Sequence, residues 1–106
     1  MWKKSIQFVK KIYKITSKFP DAEKYGLTNQ MRRCAVSIPS NIAEGAGRNS
    51  KKEFKQFLYL SLGSISELET QLIISTELSY LKDKSLLEEL NEIRKMLFGL
   101  IKSIKI

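Results

Sequence analysis

Residues 50–80 read SKKEFKQFLYLSLGSISELETQLIISTELSY, and their spacing decides the fold. Phe54, Leu58, Ser61, Ile65, Leu68 and Leu72 recur at alternating steps of four and three, the heptad that packs helices left-handed at small crossing angles. A half-buried strand would alternate with period two, and no segment of the chain does so. Ser50-Lys51-Lys52-Glu53 opens the run in capping-box form, a Ser followed three residues later by Glu, which satisfies two of the free amides at a helix start. The spacing predicts a helix over 50–80.

Beyond it, Ser85-Leu86-Leu87-Glu88 repeats the capping-box form, and Leu86, Leu90, Ile93, Leu97, Leu100 and Ile104 repeat the seam, so a further helix is expected over 85–105. Upstream, Thr28 stands where a cap is needed, and Met31, Ala35, Ile38 and Ile42 keep the spacing of a helix over 28–46. Pro39 lies inside that helix and removes one backbone donor. The pattern predicts a kink near Val36 to Ile38 with the helix continuing to Gly45 or Gly47; a full break at Pro39 is the alternative. Residues 2–18 form the first helix, with two apolar series, Trp2, Ile6, Val9, Tyr13 and Phe8, Ile12, Ile15, Phe19. Phe19-Pro20-Asp21 ends it, and residues 19–27 read as a connector. Four helices joined by short connectors have one economical arrangement, an antiparallel up-down four-helix bundle, all-α and one domain over 1–106, its second helix kinked at a proline.

The chain has 106 residues, 42% apolar and 28% charged, enough for one core without disulfides or metal. It contains no His and a single Cys. Most hydrolytic and metal-dependent chemistries therefore lose their usual parts, no cofactor is expected, and Cys34 reads as a small apolar filler. No apolar run reaches the length of a signal segment or the roughly 18 residues of a membrane span, so a cytoplasmic protein without a membrane partner is expected.

The net charge of +8 is uneven. Residues 1–48 carry ten Lys or Arg against three acids, and residues 49–106 carry nine against eight. At about 100° per residue, Lys3, Lys4, Lys10, Lys11, Lys14 and Lys18 fall in one sector of the first helix, with no acid in the segment. Such a stripe is either a solvated face or a surface for RNA, DNA or an acidic protein. The third helix also carries Phe57, Tyr59, Leu62, Ile73 and Tyr80 off its seam, and the first has its second apolar series. That is more apolar surface than one core uses, which suggests contacts between copies of the chain.

One stretch carries a resemblance. Leu27-Thr28-Asn29-Gln30-Met31-Arg32-Arg33-Cys34-Ala35-Val36-Ser37-Ile38-Pro39-Ser40-Asn41-Ile42-Ala43-Glu44-Gly45, then Arg48, Gly63-Ser64 and Glu67-Leu68-Glu69-Thr70-Gln71-Leu72, resemble the bacterial four-helix-bundle family named for proteins encoded in intervening sequences of 23S ribosomal RNA genes, over roughly residues 6–104. The resemblance implies an antiparallel bundle assembled as a homopentamer, with no established enzymatic activity. A related group of basic pentameric bundles serves the reverse transcriptases of diversity-generating retroelements, which makes a reverse transcriptase or another protein a candidate partner beside RNA or DNA.

The matching residues support a structural reading first. Ser37, Ser40 and Asn41 can bond the carbonyl freed by Pro39. Glu44 and Glu67 or Glu69 are natural partners for Arg32, Arg33 or Arg48. The competing reading makes Arg32, Arg33 and Arg48 phosphate ligands, with Lys51, Lys52 and the first-helix lysines widening the patch. A catalytic use of Glu44 with Glu67 or Glu69 is disfavoured: bundle di-metal sites use Glu-x-x-His units, and Glu67 and Glu69 stand about 200° apart on a helix. The expectation is a non-enzymatic oligomeric bundle that contacts nucleic acid through a basic surface, the alternative being a scaffold or adaptor for a protein.

Overall fold

Phe8, Ile12, Met31, Ile38, Leu58, Ile65, Leu68, Leu72, Leu90, Ile93 and Leu97 are almost wholly withdrawn from solvent, and the helices that supply them form a bundle around one core. A computed structural model describes every residue from Met1 to Ile106. The helices are α1 (Trp2–Thr16), α2 (Leu27–Ala46), α3 (Lys51–Glu77) and α4 (Ser85–Ser103), with a 3-10 turn at Asp21–Glu23. The particle measures 45 × 24 × 19 Å, its length set by the 27 residues of α3.

Cross-helix contacts run in opposite senses along each neighbouring pair. On α2 and α3, Ser61 Oγ donates to the Ile38 carbonyl at 3.0 Å, Cys34 Sγ to the Ser64 carbonyl at 3.0 Å, and Ser75 Oγ to Met31 Sδ at 3.4 Å. Residue numbers rise on α3 as they fall on α2, so the two are antiparallel. Lys4 pairs with Glu92 and Lys11 with Glu89, which orders α1 against α4 in the same way. The result is the up-down bundle expected from the periodicity.

Helix α2 is unbroken through the buried Pro39, so the alternative of a full break is excluded. The polar residues around Pro39 do not act as expected. Ser37 Oγ donates to the Cys34 carbonyl at 2.6 Å and Asn41 Nδ2 to the Ser37 carbonyl at 2.8 Å, while Ser40 faces outward. None of them reaches the carbonyl of Ala35, four residues before the proline. Instead Ser61 of α3 adds a bond to the Ile38 carbonyl, tying the proline turn to the neighbouring helix.

The helix ends correct several sequence expectations. Ser50 accepts from the Glu53 amide at 3.2 Å, as its capping position requires. Thr28 caps nothing: it is buried inside α2, whose cap position is Gly26. The Leu27 amide donates to Glu23 Oε1 at 3.2 Å, and Glu23 Oε2 accepts from the Tyr80 hydroxyl at 3.0 Å. One carboxylate thus caps α2 and ties the first connector to the end of α3. Ser85 is the first residue of α4 rather than its cap, and Asp83 accepts from its amide at 2.8 Å, which holds the Asp83 carboxyl below its ordinary pKa. Helix α3 stops at Glu77, short of Tyr80, because Ser79 takes a left-handed conformation (φ 65). The Tyr80 amide then bonds the Ser75 carbonyl and the Ser79 amide the Thr76 carbonyl, the Schellman pattern with Ser where Gly is usual.

On α4 the buried row is Leu86, Leu90, Ile93, Leu97 and Ile101. It ends with a step of four, so Ile101 replaces Leu100 in the core and Ile104 lies beyond the helix. At about 100° per residue Leu100 and Ile101 stand about equally far to either side of the row's centre; Ile101 is buried, while Leu100 and Ile104 pack against the core only in part.

Candidate nucleic-acid interface

The two apolar series of α1 separate in space. Phe8, Ile12 and Phe19 enter the core, whereas Trp2, Ile6, Val9 and Tyr13 line the outer junction with α2, where Trp2 and Tyr13 each keep 45% of their surface. This inverts the expectation that the second series is the surplus one. Two grooves follow the junction. One, of about 330 Å³, is lined by Trp2, Ile6 and Val9 against Val36, Pro39 and Ala43. The other, of about 520 Å³, is lined by Tyr13, Asn29, Arg32, Arg33, Val36 and Ser37.

Arg32 is held rigidly at the second groove. Its Nε donates to the buried Thr16 hydroxyl at 2.9 Å and its Nη2 to the Tyr13 carbonyl at 3.3 Å. Its guanidinium carbon lies 4.6 Å from the centre of the Tyr13 ring, in cation–π contact. Nη1 has no partner in the protein. Arg33, one residue on, is exposed and makes no ion pair.

The lysine stripe is divided. Lys4 Nζ lies 2.6 Å from Glu92, and Lys11 is paired with Glu89, so two of the six cations face α4 rather than a ligand. The short bond to Lys4 holds the Glu92 carboxyl below its ordinary pKa. Lys3, Lys10, Lys14 and Lys18 are exposed and form no salt bridge. Lys51 and Lys52 are likewise exposed at the start of α3, at the end of the bundle where α1 begins. Arg48 is engaged: it bonds Glu44 at 3.3 Å and its guanidinium lies 4.9 Å from the Phe57 ring centre.

Of the expected carboxylate partners, only Glu44 finds one of the three named arginines. Glu69 pairs with Arg94 of α4 at 3.1 Å, and Glu67 lies 3.5 Å from Cys34 Sγ. Arg94, Glu89 and Glu92 escape sequence reasoning because their partners lie on other helices. Tyr13 and Asn29 were missed as groove residues, although a Tyr between Lys10 and Lys14 is the available signal.

Cys34 is buried as expected, yet it is also polar in its contacts. Its thiol donates to the Ser64 carbonyl and toward Glu67. Burial first, and the Glu67 carboxylate second, push its pKa from 9.0 to about 12. The thiolate is the reactive form, so iodoacetamide at pH 8 should leave Cys34 unmodified in the folded protein and label it after unfolding. The stability consequence has a definite sign. Below pH 9 both states keep the proton and the contribution is whole; above it only the unfolded chain releases the proton. Stability should then fall by up to about 1.4 kcal/mol per pH unit until the folded thiol ionises near pH 12. Urea midpoints against pH for the protein and its Cys34→Ala variant isolate this effect, and parallel curves would refute it.

The model of the family described as "23S rRNA-intervening sequence protein" matches residues 1–99. The chain belongs to this family. Among solved structures, a protein of unknown function from the S23 ribosomal protein family of Bacteroides thetaiotaomicron VPI-5482 superposes with a TM-score of 0.88 at 25% identity, covering 96% of this chain and 95% of that one. No curated protein matches the chain. No helix is long and apolar enough to cross a membrane.

Proposed function

We propose that this chain is a non-enzymatic homo-oligomer, a pentamer as the family resemblance implies, that binds nucleic acid through the cationic face of α1 and α2. The observation that carries the reading is the set of exposed cations on that face, Lys3, Lys10, Lys14, Lys18 and Arg33, none of which has a carboxylate partner. Phosphates displacing their counterions supply the binding free energy, and no arrangement of side chains here reads base edges in a duplex groove. Repetition of the face on several copies multiplies weak contacts into useful affinity. Self-association is supported by the outer face of α3, where Tyr59, Leu60, Ile73 and Ile74 are all about half exposed; Leu62 and Tyr80 pack against the core and Phe57 against Gly45, so they are not available.

A salt titration tests the reading. The logarithm of the association constant for generic RNA or DNA should fall linearly with the logarithm of salt, by about 0.9 per duplex phosphate neutralised. Absence of binding at about 50 mM salt would end the proposal in favour of a protein-binding adaptor. Calibrated light scattering tests the assembly, and a stable monomer at working concentration would contradict it.

A further inference from the structure

The proposed function needs only phosphates, yet the face that carries the free cations also carries aromatic and apolar side chains that a duplex backbone has no use for. Trp2 and Tyr13 lie on the same side of α1, about 16 Å apart by the helical rise, and both are nearly half exposed. Lys3, Lys10 and Lys14 alternate with them along the helix. The two grooves between α1 and α2 meet at Val36, which lines both. The first groove is apolar around Trp2, and the second is aromatic and cationic around Tyr13.

We propose that the groove at Tyr13 binds single-stranded nucleic acid, with an unpaired base stacked on the face of the Tyr13 ring opposite the one that Arg32 covers. The inference rests on the nucleic-acid reading above and names the form of nucleic acid that the site takes. A duplex keeps its base faces stacked inside, so only an unpaired strand can offer one to Tyr13, and stacking on aromatic rings is the common device of single-strand binders. The groove's volume of about 520 Å³ lies within the range of small-molecule sites, about 300–1,000 Å³. Arg32 is already ordered by its bonds to Thr16 and Tyr13, so little side-chain freedom is lost when its free Nη1 meets a phosphate or a base. Arg33 and the flanking lysines neutralise the adjoining phosphates, and Asn29 supplies an amide to the same groove.

Fluorescence anisotropy at about 50 mM salt tests this with three probes of equal length: an oligo(dT) single strand, an abasic strand of the same charge, and a duplex. Each is titrated with the protein and with its Tyr13→Phe and Tyr13→Ala variants. The expected result is that Tyr13→Ala weakens single-strand binding by about tenfold and leaves abasic-strand and duplex binding unchanged, that Tyr13→Phe behaves as the parent, and that the abasic strand binds the parent as weakly as the variant binds oligo(dT). The abasic comparison does not depend on how any variant folds. Equal binding of oligo(dT) and the abasic strand would overturn the stacking proposal while leaving the base-independent surface intact. Failure of all three probes to bind would overturn both.

Discussion

Replacing Gly45 with Ala should lower the thermal midpoint by about 10 °C, a loss of about 2 kcal/mol for a domain of this size. On an exposed helix the same substitution is favourable by about 1 kcal/mol. Here the new Cβ would stand 2.7 Å from Phe57 Cβ, 3.0 Å from Phe54 Cδ1 and 3.2 Å from the Phe54 carbonyl oxygen. The first and last of these atoms are fixed to the backbone of α3, so no side-chain rotation relieves the clash and the two helices must move apart. Gly63 and Gly99 are the controls. A Cβ at either meets nothing within 4 Å, so Gly63→Ala and Gly99→Ala should each raise the midpoint by a few degrees, as propensity alone dictates. Thermal melts followed by circular dichroism decide the matter, and a Gly45→Ala protein as stable as the parent would mean that α2 and α3 do not approach this closely.

Reversing Lys3, Lys10 and Lys14 together to Glu should weaken duplex binding by about 100-fold near 100 mM salt and reduce the salt slope by about 2.7, the effect of three lost phosphate contacts. The net charge falls from +8 to +2, while the fold loses little, because all three side chains are exposed and unpaired. The contrasting variant is Lys4→Gln with Lys11→Gln. Those cations already answer Glu92 and Glu89, so their loss should leave the slope almost unchanged and cost little stability, as exposed ion pairs do. The triple variant lowers the net charge by six and the double variant by two, so changes in slope in that three-to-one ratio would mean that net charge, rather than this face, drives binding.

Helix existence was legible because burial imposes a period that residues one face apart must share. Phe54 to Leu72 on α3 and Leu86 to Leu97 on α4 show it directly, and the core occupies those positions. Helix ends were less legible. Thr28 and Ser85 have the right chemistry for caps, yet a cap depends on where the chain enters the helix, and Glu23 and Asp83 were better placed for the amides. The site was legible only as a list of cations. Lys4 and Lys11 are chemically the same as Lys10 and Lys14, and nothing local distinguishes them.

The periodicity of the apolar residues, by itself, determined an all-helical chain, the number of helices, the segments that form them and the antiparallel order that short connectors enforce. These follow from interactions between residues close in sequence and from the need to bury one stripe per helix. The tertiary structure decided which lysines are free, which arginines meet a carboxylate, which apolar series of α1 stays outside, and that Tyr13, Arg32 and Arg33 share a groove. Each depends on what stands across from a residue on another helix, and that neighbour is set by how the packed helices are rotated and offset, which no pattern within one helix encodes.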